Sequence, residues 1–170
     1  MRWRAEKAIF WGGSICGVLD FASAVIAWHS RGATIRSVGQ SIAAGLLGHA
    51  DAFDSVHRTA LLGIFLHFVI AFGAATTYYL ASRFLPFLTE HPIVAGLIYG
   101  ELVFLFMNMV VLPLSALHRD PLAWTSFSPW PMLITGPLGH PFLVGLPIAL
   151  ATARFAPFTP PALQVKRAAG

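Results

Sequence analysis

The sequence predicts an all-α integral membrane protein, a bundle of four transmembrane helices with a short interfacial helix in the first outer loop. Three observations predict it. Apolar residues fill 56% of the 170 positions, rising to about 65% once the 15 glycines are counted, against the roughly 45–50% of soluble proteins. Charged residues are 11%, less than half the usual share of about 25% and too few to cover a small soluble domain. Four apolar stretches, residues 9–28, 59–82, 93–117 and 131–153, contain only two of the 18 charged residues, Asp20 and Glu101. Each is long enough to cross about 30 Å of hydrocarbon, which takes about 20 helical residues. A soluble bundle would carry a polar stripe on every helix. A disordered chain would be poor in apolar residues and rich in charge. The single cysteine, Cys16, excludes an intrachain disulfide framework. Residues 1–155 are read as one transmembrane domain and 156–170 as a cytoplasmic tail.

The first stretch is flanked by Trp3, Trp11 and Trp28, rings that prefer the headgroup level. Its basic start and its Ala22-Ser23-Ala24 triplet resemble a signal peptide. The length of the apolar run and Asp20 within it favour a retained helix. The loop at 29–58 is long, and such loops are usually functional or partly structured. Within it Ile35, Val38, Ile42 and Leu46 recur at helical spacing, which predicts a helix over 34–47 on, or dipping into, the outer leaflet. Tyr78 and Tyr79 close the second stretch, and Trp124 and Trp130 precede the fourth. In the fourth, Pro137, Pro141 and Pro147 each remove a backbone donor. The carbonyls they free, on Leu133, Pro137 and Leu143, need other partners, so a broken or widened helix is expected around residues 136–141.

Seven basic residues (Arg2, Arg4, Lys7, Arg83, Arg154, Lys166, Arg167) fall on the side of the termini and four (Arg31, Arg36, Arg58, Arg119) on the other. This asymmetry places both termini in the cytoplasm of a bacterial inner membrane. Small residues supply close-packing faces: Gly13 and Gly17, Gly96 and Gly100, and a stripe through Gly63, Ala71 and Ala75 interrupted by His67.

Ionisable groups inside spans are costly and point to function. Asp20, His67, Asn108 and His140, one from each stretch, reach nearly one level, about 12–14 Å from the outer span ends. Glu101 lies two turns below Asn108 on the same face. At that level Asp20 is expected to pair with His67 or His140. The level serves either as a buried clasp or as a proton-responsive or ligand-binding site. A further alternative uses His67 and His140 as axial ligands of a b-type haem, although no cofactor is expected. The outer loop carries His49, Asp51, Asp54 and His57, ligand types that suit a divalent metal, at a spacing that matches no tight zinc motif. No phosphate loop, nucleotide fingerprint or nucleophile elbow is present, and no enzymatic activity is expected. The basic pI, near 9.8, comes from charges split between two membrane faces, which fits anionic lipid better than nucleic acid.

The run from Leu62 through His67 to Phe72, the Gly96-Leu97-Ile98-Tyr99-Gly100 segment, the stretch from Met107 to Leu114 with Pro113, and the Gly139-His140 pair together resemble a group of small four-span bacterial inner-membrane proteins of unknown function. More distantly they resemble the YagU-type proteins, which carry a loose acid-resistance label. The resemblance spans roughly residues 10–153 and implies the four-span fold but no catalytic residue. At Asn108 the chain departs from the YagU-type pattern. The expected role is an accessory subunit or small self-associating component, in contact with the lipid bilayer and with further copies or a larger complex. An oligomeric transporter or channel is the competing class.

Overall fold

The computed structural model describes residues 2–54, 58–122 and 135–158. Their regular elements are all helices, with no strand among the described residues. Helix α1 runs over Arg2–His29, α2 over Ile35–Leu47, α3 over His49–Asp54 and α4 over Arg58–Ala81. The short α5, Phe87–Glu90, leads into α6, Pro92–Leu114, and the last helix described is α7, Pro141–Phe155. Three of them (α1, α4 and α6) are long and apolar enough to cross a membrane. Large apolar side chains on their outer surfaces, Val18, Phe65, Ile98, Leu102 and Phe106 among them, are each more than half exposed. Contiguous apolar surface on that scale needs a non-aqueous neighbour.

α1 runs unbroken through the Ala22–Ala24 triplet. It packs along α4 and α7, with Gly13 against Phe72 and Gly17 against Phe68 on one side and Gly12 against Ile148 on the other. The first two pairings make α1 antiparallel to α4. α6 is antiparallel to α7, since Gly96 lies against Gly145 and Ala149 while Gly100 lies against His140 and Pro141. The core between them holds Cys16, Ala75, Tyr78, Ala95, Ile148 and Ala149. Tyr78 donates to the Leu88 carbonyl at 2.8 Å, Tyr99 donates to the Ala74 carbonyl at 2.8 Å, and the two rings meet edge to face at 4.9 Å.

Two of the apolar stretches differ in form from their sequence reading. α6 contains a π turn over Met107–Val111 and ends at Leu114 rather than 117. The fourth stretch is not one helix over 131–153. Residues 131–134 lie outside those described, residues 136–138 form a turn, and α7 opens with a second π turn, Pro141–Gly145. The cause is the same in both. Each π turn ends two residues before a proline, Pro113 or Pro147, whose ring would collide with the carbonyl four residues back. The longer bonds, Leu112 N–H to Met107 O and Leu146 N–H to Pro141 O, absorb the missing donor by widening the helix.

The helix expected at 34–47 forms. Thr34 caps it, accepting from the Ser37 amide while the Ser37 hydroxyl accepts from the Thr34 amide, a reciprocal cap that satisfies two orphan donors. Its buried face is not the apolar stripe but Gly39, Gln40, Ala43 and Ala44. Gly39 and Gly63 bring the backbones of α2 and α4 into direct contact, and a side chain at either position would strike the other helix. Gln40 and Thr59 both donate to the Ala52 carbonyl, at 3.2 and 2.7 Å. The Ala116 amide donates to Gly45 O at 2.9 Å. α2 is thereby tied to α3, to α4 and to the end of α6.

Candidate functional site

Where α4 and α6 diverge beyond the Tyr78–Tyr99 contact, a cavity of about 700 Å³ opens among α1, α4, α6 and the start of α7. α2 forms part of its wall through Val38, Ile42 and Leu46, most of the stripe that reads from sequence as lipid-facing. α1 contributes Gly17, Asp20, Phe21, Ala24 and Trp28, which recur on one helical face. Both π turns border the space, through Met107 and Val111 of α6 and Val144 of α7. Volume and composition fall within the range of small-molecule pockets, mostly apolar with a few convergent polar groups.

Three of the five residues singled out within the spans meet here. Asp20, His67 and His140 all line the cavity. His67 Nε2 lies 2.9 Å from the Gly17 carbonyl. A carbonyl only accepts, so Nε2 carries a proton and donates it. The ring sits between Phe21 and Phe68, at 5.4 and 5.6 Å between centroids. The hydrogen-bond partner of His67 is therefore the backbone of α1 one turn before Asp20, not the Asp20 carboxylate. That bond also occupies the nitrogen through which a haem iron would most simply bind. His140 stands edge-on to Phe104 at 5.3 Å, and its Nδ1 is buried without a hydrogen-bond partner. An orphaned polar atom of that kind marks a place where a ligand or water belongs.

The other two do not join the cavity wall. Asn108 is buried within the π turn of α6 and donates to the Phe104 carbonyl of its own helix at 3.0 Å. Glu101, half-buried on the same helix, lies below that level. Asn108 thus serves the widened helix rather than the shared polar level. Between α1 and α4, His49, Asp51 and Asp54 are exposed on α3, with His49 stacked on Phe53 at 4.7 Å. His57 lies outside the described residues, and among those described no group of three ligand side chains could hold a metal.

Sequence reasoning did not find the cavity itself, nor α2 as part of its wall. The signal was present in Gly39 and Ala43, a small pair four residues apart that marks a packing face rather than a lipid face. Comparison with protein-family models, with curated proteins and with solved structures gives no match for this chain.

Proposed function

We propose that this chain is a four-span bacterial inner-membrane protein with both termini cytoplasmic, and that its cavity binds a small amphipathic ligand. It acts as a non-enzymatic component, either an accessory subunit or a self-associating protein, and kinship with the small four-span and YagU-type proteins belongs to the same proposal. One observation carries the ligand reading: an apolar cavity of about 700 Å³ whose wall holds Asp20, His67 and His140, with a buried His140 nitrogen that has no partner. Support for a fourth span comes from α7. It lies antiparallel to α6 and packs on α1, and its 15 residues cover about 22 Å. In this arrangement α2 lies at the outer leaflet over the cavity. The orientation rests on the Lys/Arg asymmetry.

Native mass spectrometry of a mild detergent extract tests the function. The expected spectrum shows the chain with a bound small amphiphile, together with further copies or larger subunits. A bare monomer would defeat the reading, and a haem adduct would replace it with the electron-transfer alternative. The topology is checked with an impermeant thiol reagent on a Cys16→Ala background. Arg36→Cys should label in intact spheroplasts and Glu90→Cys should not, and the reverse pattern would invert the protein.

A further inference from the structure

We infer that the ligand of this cavity is a lipophilic cation, an ammonium-type head on an apolar body, with its charge paired by Asp20. The inference rests on the ligand-binding reading above and deepens it. Among the described residues, Asp20 is the only acidic one on the cavity wall, and no ion pair or hydrogen bond engages its carboxylate. A carboxylate in a largely apolar cavity, at the depth of a spanning helix, is costly until a positive charge compensates it.

The groups around it sort the candidates. His67 donates through Nε2 to Gly17 O, so that donor is spent on the α1 backbone and not on Asp20. The Asp20 carboxylate, an acceptor, favours a head that carries N–H donors. Phe21, on the wall beside Asp20, supplies aromatic surface of the kind that attracts cations, while the Trp28 ring already carries the Arg31 guanidinium at 5.2 Å. Arg119 is the one Lys or Arg among the described residues of the wall, and it has interactions of its own. His140 lies on the wall just ahead of α7 and Cys16 on α1, and neither brings a fixed positive charge. An anionic ligand would set like charge beside Asp20, and a neutral one would leave the carboxylate uncompensated. The remaining walls are apolar and have room for the body of such a ligand.

A matched pair of probes tests this: 4-phenylbutylamine, which is charged at neutral pH, and 4-phenylbutanol, of the same shape and uncharged. Both are titrated calorimetrically into the purified full-length protein at pH 7 in one non-ionic detergent. The amine is expected to bind at least about tenfold tighter than the alcohol, as for a desolvated charge pair. The ratio should fall to about one in Asp20→Asn and persist in Asp20→Glu. Equal binding of the two probes to the wild type overturns the cation assignment and leaves a ligand-binding cavity. Binding of neither overturns both readings. A preference that survives in Asp20→Asn also defeats the assignment. Should that variant not fold, the wild-type ratio decides together with Ala24→Phe. That substitution fills the wall one turn from Asp20, and it should weaken both probes if they bind in this cavity.

Discussion

The two ends of the bundle are built on opposite principles. Around α5 the helices close backbone to backbone. Gly96 and Gly100 of α6 press against Gly145 and the His140–Pro141 backbone, Tyr78 and Tyr99 bond across helices, and Arg83 ties down the end of α7. Beneath α2 the same helices part. The π turn of α6 widens that helix, and the gap is walled by larger side chains around Asp20, His67 and His140, whereas the second π turn, Pro141–Gly145, packs against Gly96 and Gly100. In lipid there is no hydrophobic force between helices, so contact is held by close packing and hydrogen bonds. An end with glycine contacts can seal. An end walled by bulky side chains, where α6 widens ahead of Pro113, stays open enough to receive something.

The largest effect should come from breaking the sealed end. A Cβ at Gly145 would collide with the Gly96 carbonyl and the Gly100 backbone, and neither backbone can give way without moving α6 off α7. Gly145→Ala is expected to destabilise by about 3 kcal/mol or more, read as a fall in thermal midpoint in detergent. Gly73→Ala is the control. Nothing lies within 4 Å of a Cβ there, and replacing a mid-helix glycine by alanine should be neutral or stabilise by up to about 1 kcal/mol. Equal effects of the two would mean that the glycine contact does not hold this end together.

That contrast also shows what was legible in the sequence. Gly96 and Gly100 announced a packing face by spacing alone, and Pro137, Pro141 and Pro147 announced an irregular backbone in the fourth stretch, whereas the widening of α6 ahead of Pro113 was not anticipated. The all-α class and three long apolar helices followed from composition and run length. The depth argument brought Asp20, His67 and His140 toward one level, and all three do line one cavity. It failed for Asn108 because depth says nothing about azimuth: the side chain turns back onto the Phe104 carbonyl of its own helix. The role of α2 was hidden for a related reason. An apolar stripe reads the same whether it faces lipid or an internal cavity, and only the partner of the small-residue face, Gly63, decides between them.

A smaller effect is expected at Arg83. Its guanidinium donates to the Ser82 hydroxyl, at 2.9 Å through one nitrogen, and to the carbonyls of Ala156 and Pro157 just past the end of α7. It also stacks on Tyr79 at 5.0 Å. A cation on the last carbonyls of a helix satisfies acceptors that otherwise lack partners. Arg83→Ala should cost about 1–2 kcal/mol and speed amide exchange in the last turn of α7. Arg83→Lys should recover only part of this, because an ammonium does not reach several acceptors in one plane. If exchange in that turn is unchanged in Arg83→Ala, the clamp is not what fixes the C-terminal end of the bundle.

The smallest effect separates two accounts of the open end. If Asp20 and His67 formed a pair, replacing both would be less harmful than the sum of the single replacements. The coupling would be about 0.6–1.7 kcal/mol, as for hydrogen bonds in membranes. The geometry gives His67 the Gly17 carbonyl instead, one turn from Asp20, and leaves the carboxylate for a ligand. His67→Ala then loses one bond to a carbonyl that keeps its place in α1, a cost of about 0.6 kcal/mol. Asp20→Ala removes an uncompensated charge and should be neutral or mildly stabilising in the ligand-free protein. The double variant should be additive within about 0.5 kcal/mol. Thermal melts of the four proteins in one detergent measure this. A coupling above that range would mean that the two side chains do pair in the membrane, which would leave no free carboxylate to receive a cation.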